Sequence, residues 1–384
     1  MRRARTLGVA TTIAVTTLAA SCAADRPAPT TSPSAASTEG PTSRAPSATA
    51  LASPIPDRLT TPLRDRGPVA GLDPRLQDLD LRDAIEAPTL ASTPIDRALL
   101  VADQSIFVER LDVIDAVNQI FVLAPDLTWR RIPLASYGDF HVEPNPTVSP
   151  DGRRVALSEG SNGAVAVIQL STGGHRRYPV PVREAVGLDW SPDGRALMFK
   201  SRDKAGSGGY ELDLRTGTAT PRTVDVFRST FSGDSRSVIE IGKDSTGAAE
   251  VRRYRDGKRT GSRLLEYSTI PRGQVTVKRY AAFGFFPTRR QRAAGHRDGA
   301  VVVDPRDGRL VAMGVDPRLR ATWTAPSTWI TADLLVVDTM LSGVLRVWNV
   351  RTGEVRRLAR FRNEGVNVSL APGPVADLLA GVER

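Results

Sequence analysis

Three histidines, His141, His175 and His296, are the first places to look for acid–base or metal chemistry, and their spacing offers neither. No His-x-His or His-Glu-x-x-His pair puts two imidazoles on one face of an element, so a zinc site has no ligand set. The stretches EGSNG and AGSGG come near the Gly-x-Ser-x-Gly of a hydrolase nucleophile elbow but miss its spacing, and both read as loops. The glycine run GSGG at 206–209 precedes no Lys and Ser/Thr pair and opens no helix, so it is no phosphate cradle. The carboxylates of REAVGLD and DLDLRD have no partner that spacing supplies, although a glycosidase-type pair assembled from distant strands stays open. The sequence therefore predicts no catalytic, cofactor-binding or metal-ligating residue, and no cofactor.

One reactive side chain remains, the single cysteine Cys22. It cannot form an internal disulfide. Arg2, Arg3 and Arg5 precede an apolar, Thr-rich run at 7–20, and LAASC then ends on Cys22. A basic start, a short apolar run and small residues before a cut site describe a secretory signal. Fourteen residues are fewer than the roughly 20 needed to span a bilayer. Small residues ending directly on Cys resemble a bacterial lipobox, with Ala19 where Leu is usual. That resemblance implies cleavage after residue 21 and lipidation of Cys22. An ordinary signal peptide with an incidental Cys is the alternative.

Residues 22–54 are Pro, Ser, Thr and Ala with almost no large apolar side chain. Such a segment buries too little surface to offset its ordering entropy and reads as a disordered tether. Residues 55–97 read as an extended lead-in lying on the domain, with a short helix in LQDLDLRDAIEA. The formal charge of +10 is carried almost wholly by Arg and is scattered along the chain. Nucleic-acid readers concentrate charge on one face, so nucleic acid is a poor partner. Attraction to anionic envelope polymers or lipids fits better.

The elements that must position any site are repeated. The stretches NPTVSPDGRRVALSEG, LDWSPDGRALMFKS and STFSGDSRSVIEIG place Ser149, Ser191 and Ser232 at steps of 42 and 41 residues. A period of this length marks a four-stranded blade repeated about an axis. Pro sets the first corner of the turn, Asp caps it and Gly takes positive φ. Along RALMFKS, Ala196, Met198 and Lys200 point one way and Leu197 and Phe199 the other. A second hairpin recurs between these turns, centred near Asp126, Gly173, Gly217, Gly257, Gly308 and Gly353. Two hairpins per unit give four strands, and six units give an all-β, six-bladed β-propeller over residues 98–384. Seven blades, or a β-sandwich, are the weaker alternatives. The tail at 366–382 reads as a first hairpin that completes the blade begun by the N-terminal strands, which removes exposed sheet edges. Trp190 is expected to wedge between blades, and Asp151 and Asp193 to be architectural.

The aromatic-preceded Ser-Pro-Asp-Gly turn with its short apolar strand resembles the TolB-type, WD-like propeller repeat, best over 145–201 and more loosely over about 98–384. That resemblance implies six blades and an extracytoplasmic binding platform. No separate N-terminal α/β domain of the TolB kind is visible. The blade-to-blade and b–c loops lie on one end of such a ring and are irregular here, and function concentrates on irregular loops held by a rigid scaffold. They carry His141, Glu143, Arg183, Glu184, Arg228, Arg289, Arg290, Arg292, His296 and Arg297, the candidate partner face. The expected function is an exported platform, lipid-anchored to the outer face of the bacterial cell membrane, that binds an envelope protein or an anionic cell-wall component without chemistry. The alternative is a propeller hydrolase, lyase or lactonase, or a sensor of a small or sugar ligand.

Overall fold

The computed structural model describes residues 55–64, 66–104, 119–134, 146–160, 163–202, 208–266, 271–285, 287, 292, 297–315, 324–339, 343–363 and 366–382. Cys22 and the stretches read above as signal and tether, residues 1–54, lie outside them.

The chain forms six sheets. A short strand β1 (Thr60–Pro62) precedes the first, which holds β2 (Leu100–Gln104), β3 (Gln119–Leu123) and β4 (Trp129–Pro133). The second holds β5 (Thr147–Val148), β6 (Arg154–Glu159), β7 (Ala164–Gln169) and β8 (His175–Pro179). The third holds β9 (Ala185–Trp190), β10 (Ala196–Ser201), β11 (Gly209–Asp213) and β12 (Thr218–Arg222). The fourth holds β13 (Ser229–Phe231), β14 (Ser237–Lys243), β15 (Ala249–Arg255) and β16 (Lys258–Leu264). The fifth holds β17 (Pro271–Val277), β18 (Ala281–Phe285), β19 (Gly299–Val303) and β20 (Leu310–Val315). The sixth holds β21 (Thr324–Trp329), β22 (Leu334–Thr339), β23 (Val344–Asn349) and β24 (Val355–Arg360). The last strand, β25 (Val366–Leu370), returns to the first sheet, whose order is β25-β2-β3-β4. This is a six-bladed propeller closed by its own two chain ends.

Alternation along each strand builds the core. Strands such as β6, β7, β18 and β19 are buried on both faces, because consecutive side chains enter opposite interblade layers, whereas outer strands such as β16 are exposed. Leu197 and Phe199 pack against blade two, while Met198 packs against Phe231 and Val238 of blade four. Six apolar clusters fill the six gaps between blades. Trp190 is buried between blades as expected, with its Nε1 donating to the Thr147 carbonyl at 3.2 Å and the Arg154 guanidinium over its ring. Trp329 repeats the arrangement one half-turn of the ring away, donating to the Thr276 carbonyl at 3.3 Å.

The turns follow their residues. Ser191 Oγ donates to Asp193 Oδ1 at 2.7 Å and accepts from the Ala196 N–H, while Gly194 sits at φ 68°. Ser149, Asp151 and Gly152 do the same in blade two. Burial works against the Asp151 and Asp193 carboxylates, but the neighbouring hydroxyls and backbone N–H groups outweigh it and hold both below the usual carboxylate range. In the degenerate third turn Ser235 takes the left-handed conformation that Gly holds elsewhere. All six predicted second hairpins are present. The first reads weakly in sequence because Leu127 supplies its positive φ. The inner hairpins of blades five and six, β17–β18 and β21–β22, carry no Ser-Pro-Asp-Gly turn. The tail differs from its reading as a hairpin: only β25 is a strand, and Pro372–Val382 is a helix, α2. Having supplied the one missing inner strand, the chain turns onto the ring, where Val375 and Leu379 pack in the seam between blades six and one.

The lead-in runs around the outside of the ring. The strand β1 adds in parallel to β20 of blade five. Val69 N–H then bonds Arg357 O in blade six, Leu79 N–H bonds Arg360 O, and Leu90 N–H bonds Arg131 O in blade one. The short helix predicted there is α1 (Leu81–Ile85), capped by Asp80, which accepts from the Arg82 N–H. Leu72, Leu76, Leu79, Leu81 and Ala84 join the cluster between blades six and one. The segment thus covers the seam where the ring is sealed non-covalently.

Leu76 is 2% exposed within that seam. Leu76→Ala should cost about 2–5 kcal/mol in urea unfolding. The exposed Arg82→Ala should stay within about 0.5 kcal/mol.

Candidate functional site

A cavity of about 1070 Å³ is lined by the inner strands of all six blades. It is the axial channel. One level of its wall is built by register. Ser369 pairs with Val101, Thr147 with Ala156, Asp189 with Met198, Thr230 with Ile239, Thr276 with Ala282 and Thr328 with Val336. Each is the inner-strand residue one step before the position that begins the wedge layer, and all six line the cavity. The ring therefore carries five hydroxyls and one carboxylate.

Neighbouring members of the ring touch. Thr230 Oγ1 donates to Asp189 Oδ2 at 2.9 Å, joining blades three and four. Thr147 Oγ1 lies 3.4 Å from Ser369 Oγ, which also accepts from the Val148 N–H at 3.2 Å. Asp189 keeps some accessible surface toward the channel, yet protein surrounds it. Burial raises its pKa to about 7, against the opposing bonds from the Thr230 hydroxyl and the Phe231 N–H.

The two ends of the channel differ. Toward the end with the short turns, Pro372, Gly373 and Ala376 of the α2 segment join the wall, and Gly373 N–H bonds Pro150 O. There Lys278 Nζ donates to Ile330 O at 2.9 Å. Toward the loop end the wall carries Asp103, Lys200, Arg202, Phe227 and Asp338. Phe227 is 40% exposed, unusual for a large apolar side chain. Its ring lies over Gly187, where an added Cβ would meet Phe227 Cε1 at 2.9 Å, and Lys200 Nζ sits 3.8 Å from the ring centroid.

The sequence candidates divide into three groups. His141, Glu143, Arg289, Arg290 and His296 lie outside the described residues, as does Cys22. Arg183, Glu184, Arg228, Arg292 and Arg297 are described, and the topology puts their loops on the same end of the ring. Glu184 pairs with Arg202 at 2.7 Å, Arg292 with Asp298 at 3.1 Å, and Arg228 lies 3.7 Å from Asp225. Arg183 and Arg297 are exposed. The described candidates come from three connections, before blade three, before blade four and within blade five. Sequence reasoning missed the channel ring and Phe227. The signal for half of the ring is a Thr or Asp two residues before Ser149, Ser191 and Ser232. Among the described residues no group of three His, Cys, Asp or Glu converges as a metal site, and no helix is long and apolar enough to cross a membrane.

No protein-family model matches the chain, and no curated protein does. Among solved structures it is similar to TolB from Acinetobacter baumannii, with a TM-score of 0.51 and 17% identity, over 73% of this chain and 69% of that one. It is also similar to a chain of a nidogen/laminin complex (TM-score 0.47, 9% identity, 71% and 98% covered). An acylaminoacyl peptidase from Pyrococcus horikoshii gives TM-score 0.43 and 14% identity, with 71% of this chain and 48% of that one covered. At these identities the likeness is one of fold, and the fold is that of a TolB-like β-propeller.

The raised carboxyl of Asp189 has a signature in stability. The folded state keeps this proton up to about pH 7, while the unfolded chain releases it near 3.8, so stability falls as pH rises through that window. Urea unfolding from about pH 4 to pH 7 should show the wild type losing stability relative to Asp189→Asn. Parallel curves would show that the carboxyl is not shifted.

Proposed function

We propose that the mature chain is an exported propeller, lipid-anchored through Cys22 to the outer face of the bacterial membrane. It serves as a docking platform for an envelope protein or an anionic wall component. The observation that supports this reading best is the inequality of the two ends. One is made of stereotyped turns tied by their own Ser and Asp side chains. The other carries exposed Arg183 and Arg297 and the exposed ring of Phe227. An aromatic ring beside cations on a rigid frame suits recognition of an extended partner with acidic groups. The Cys22 anchor rests on the sequence pattern alone.

A second reading, a propeller enzyme or small-ligand sensor, draws on Asp189, whose pKa near neutrality is what a general acid or base needs. At the level of Asp189 the other five ring positions carry hydroxyls, which favours binding over proton transfer.

Replacing Arg289, Arg290, Arg292 and Arg297 with Glu should lower partner recovery in pull-downs from native membranes at least about tenfold, with an unchanged thermal melt. Unchanged recovery would count against docking at this end. Separately, Cys22→Ser should move the protein from the membrane to the soluble fraction.

A further inference from the structure

The channel ring has a composition that docking on the loop end does not require. Five hydroxyls and one carboxylate occupy the same register in six blades, and the carboxylate is the single charged member. A hydroxyl both donates and accepts, whereas an ionised carboxylate only accepts and has about four lone-pair sites. Asp189 receives the Thr230 hydroxyl and the Phe231 N–H. Among the described residues no cation pairs with it. A carboxylate taken out of bulk water without a counter-charge is unstable in its ionised form, and a bound cation would relieve that.

The surrounding atoms decide which cation. A guanidinium is planar and is matched by paired acceptors in a fork, typically a bidentate carboxylate facing it squarely. A divalent metal ion takes several carboxylates, and no such group converges among the described residues. A primary ammonium has three N–H donors arranged as a tripod, and one carboxylate with flanking hydroxyl acceptors satisfies it. We propose that the ring of Ser369, Thr147, Asp189, Thr230, Thr276 and Thr328 is a binding site for a primary ammonium group. It is carried on a linear chain such as a lysine side chain that enters from the loop end past Phe227. Asp189 supplies the charge, and Thr230 holds it in place from the next blade. The other ionisable groups on the channel wall are engaged elsewhere or distant in register. Lys278 is held by Ile330 O, Arg202 by Glu184, and Lys200 lies over Phe227. Asp103 and Asp338 stand on second strands, nearer the loop end. The proposal is independent of lipid anchoring and of what docks on the loops.

Calorimetric titration of the full chain with N-acetyl-lysine amide tests it, with N-acetyl-norleucine amide as the neutral match and calcium chloride as the metal control. At about pH 8 the lysine probe should bind at least about tenfold more tightly than the norleucine probe, since a tenfold difference corresponds to loss of one charge-assisted bond. Its affinity should fall on going to about pH 5.5, as the carboxyl takes up its proton. Asp189→Asn should lose at least about tenfold, and Thr276→Val less. Equal binding of both probes, full affinity in Asp189→Asn, or Asp189-dependent binding of calcium with none of the amine would overturn the proposal. If Asp189→Asn does not fold, carboxyl NMR of the wild type carries the test. The Asp189 titration should move to lower pH with the lysine probe and stay put with the norleucine probe, and an unmoved titration with both would be equally fatal.

Discussion

Five residue pairs hold the ring shut. Leu100 to Gln104 of β2 pair with Leu370 to Val366 of β25, which joins the N-terminal strand of blade one to the last strand of the chain. In every other blade the four antiparallel strands are consecutive in sequence, with β1 added at the outer edge of blade five. The first blade alone must recruit its inner strand from the far end of the chain, at the full entropic cost of closing a very long loop. The seam cluster is correspondingly reinforced. It takes apolar side chains from both flanking blades, from the lead-in segment and from α2. The covering segment and the C-terminal helix are thus best understood as devices that make closure hold.

Closure is also what gives the channel its chemistry. The side chains of the six-membered ring are far apart in sequence and share nothing but register. Once the blades are locked, each inner strand presents the same position to the axis, and neighbours come within hydrogen-bonding reach, as Thr230 and Asp189 do at 2.9 Å. Locked blades give the loop end and the channel wall one rigid frame.

Much of this architecture is legible in the sequence because turns and alternation are local. Ser-Pro-Asp-Gly writes its own geometry, and RALMFKS states which side chains face which neighbour. The blade count followed from the second hairpins, five of them marked by Gly. The helix α2 was not legible as such, since PGPVADLLAGV follows a strand and its glycines and prolines mimic hairpin punctuation. The loop end was legible only as a set of loops. Whether charges there are free depends on partners such as Asp298 for Arg292, which are short-range contacts that composition does not reveal. The channel ring escaped because its signal is a single position per blade. In blades one, five and six that position is not followed by the Ser-x-Asp turn that flags it elsewhere. Asp189 stood in plain view as an unpaired carboxylate, but only the assembled ring gives it neighbours.

The central claim is that pairing of the two chain ends closes the ring as part of the global fold, not as a loose clasp. Native-state hydrogen exchange measures this directly. The amides of residues 100–104 and 366–370 should exchange with the same free energy as those of the inner strands β9 and β17, reporting only global unfolding. Exchange of the terminal pair at much lower free energy, with blades two to five still protected, would show that the seam opens on its own and would contradict the account.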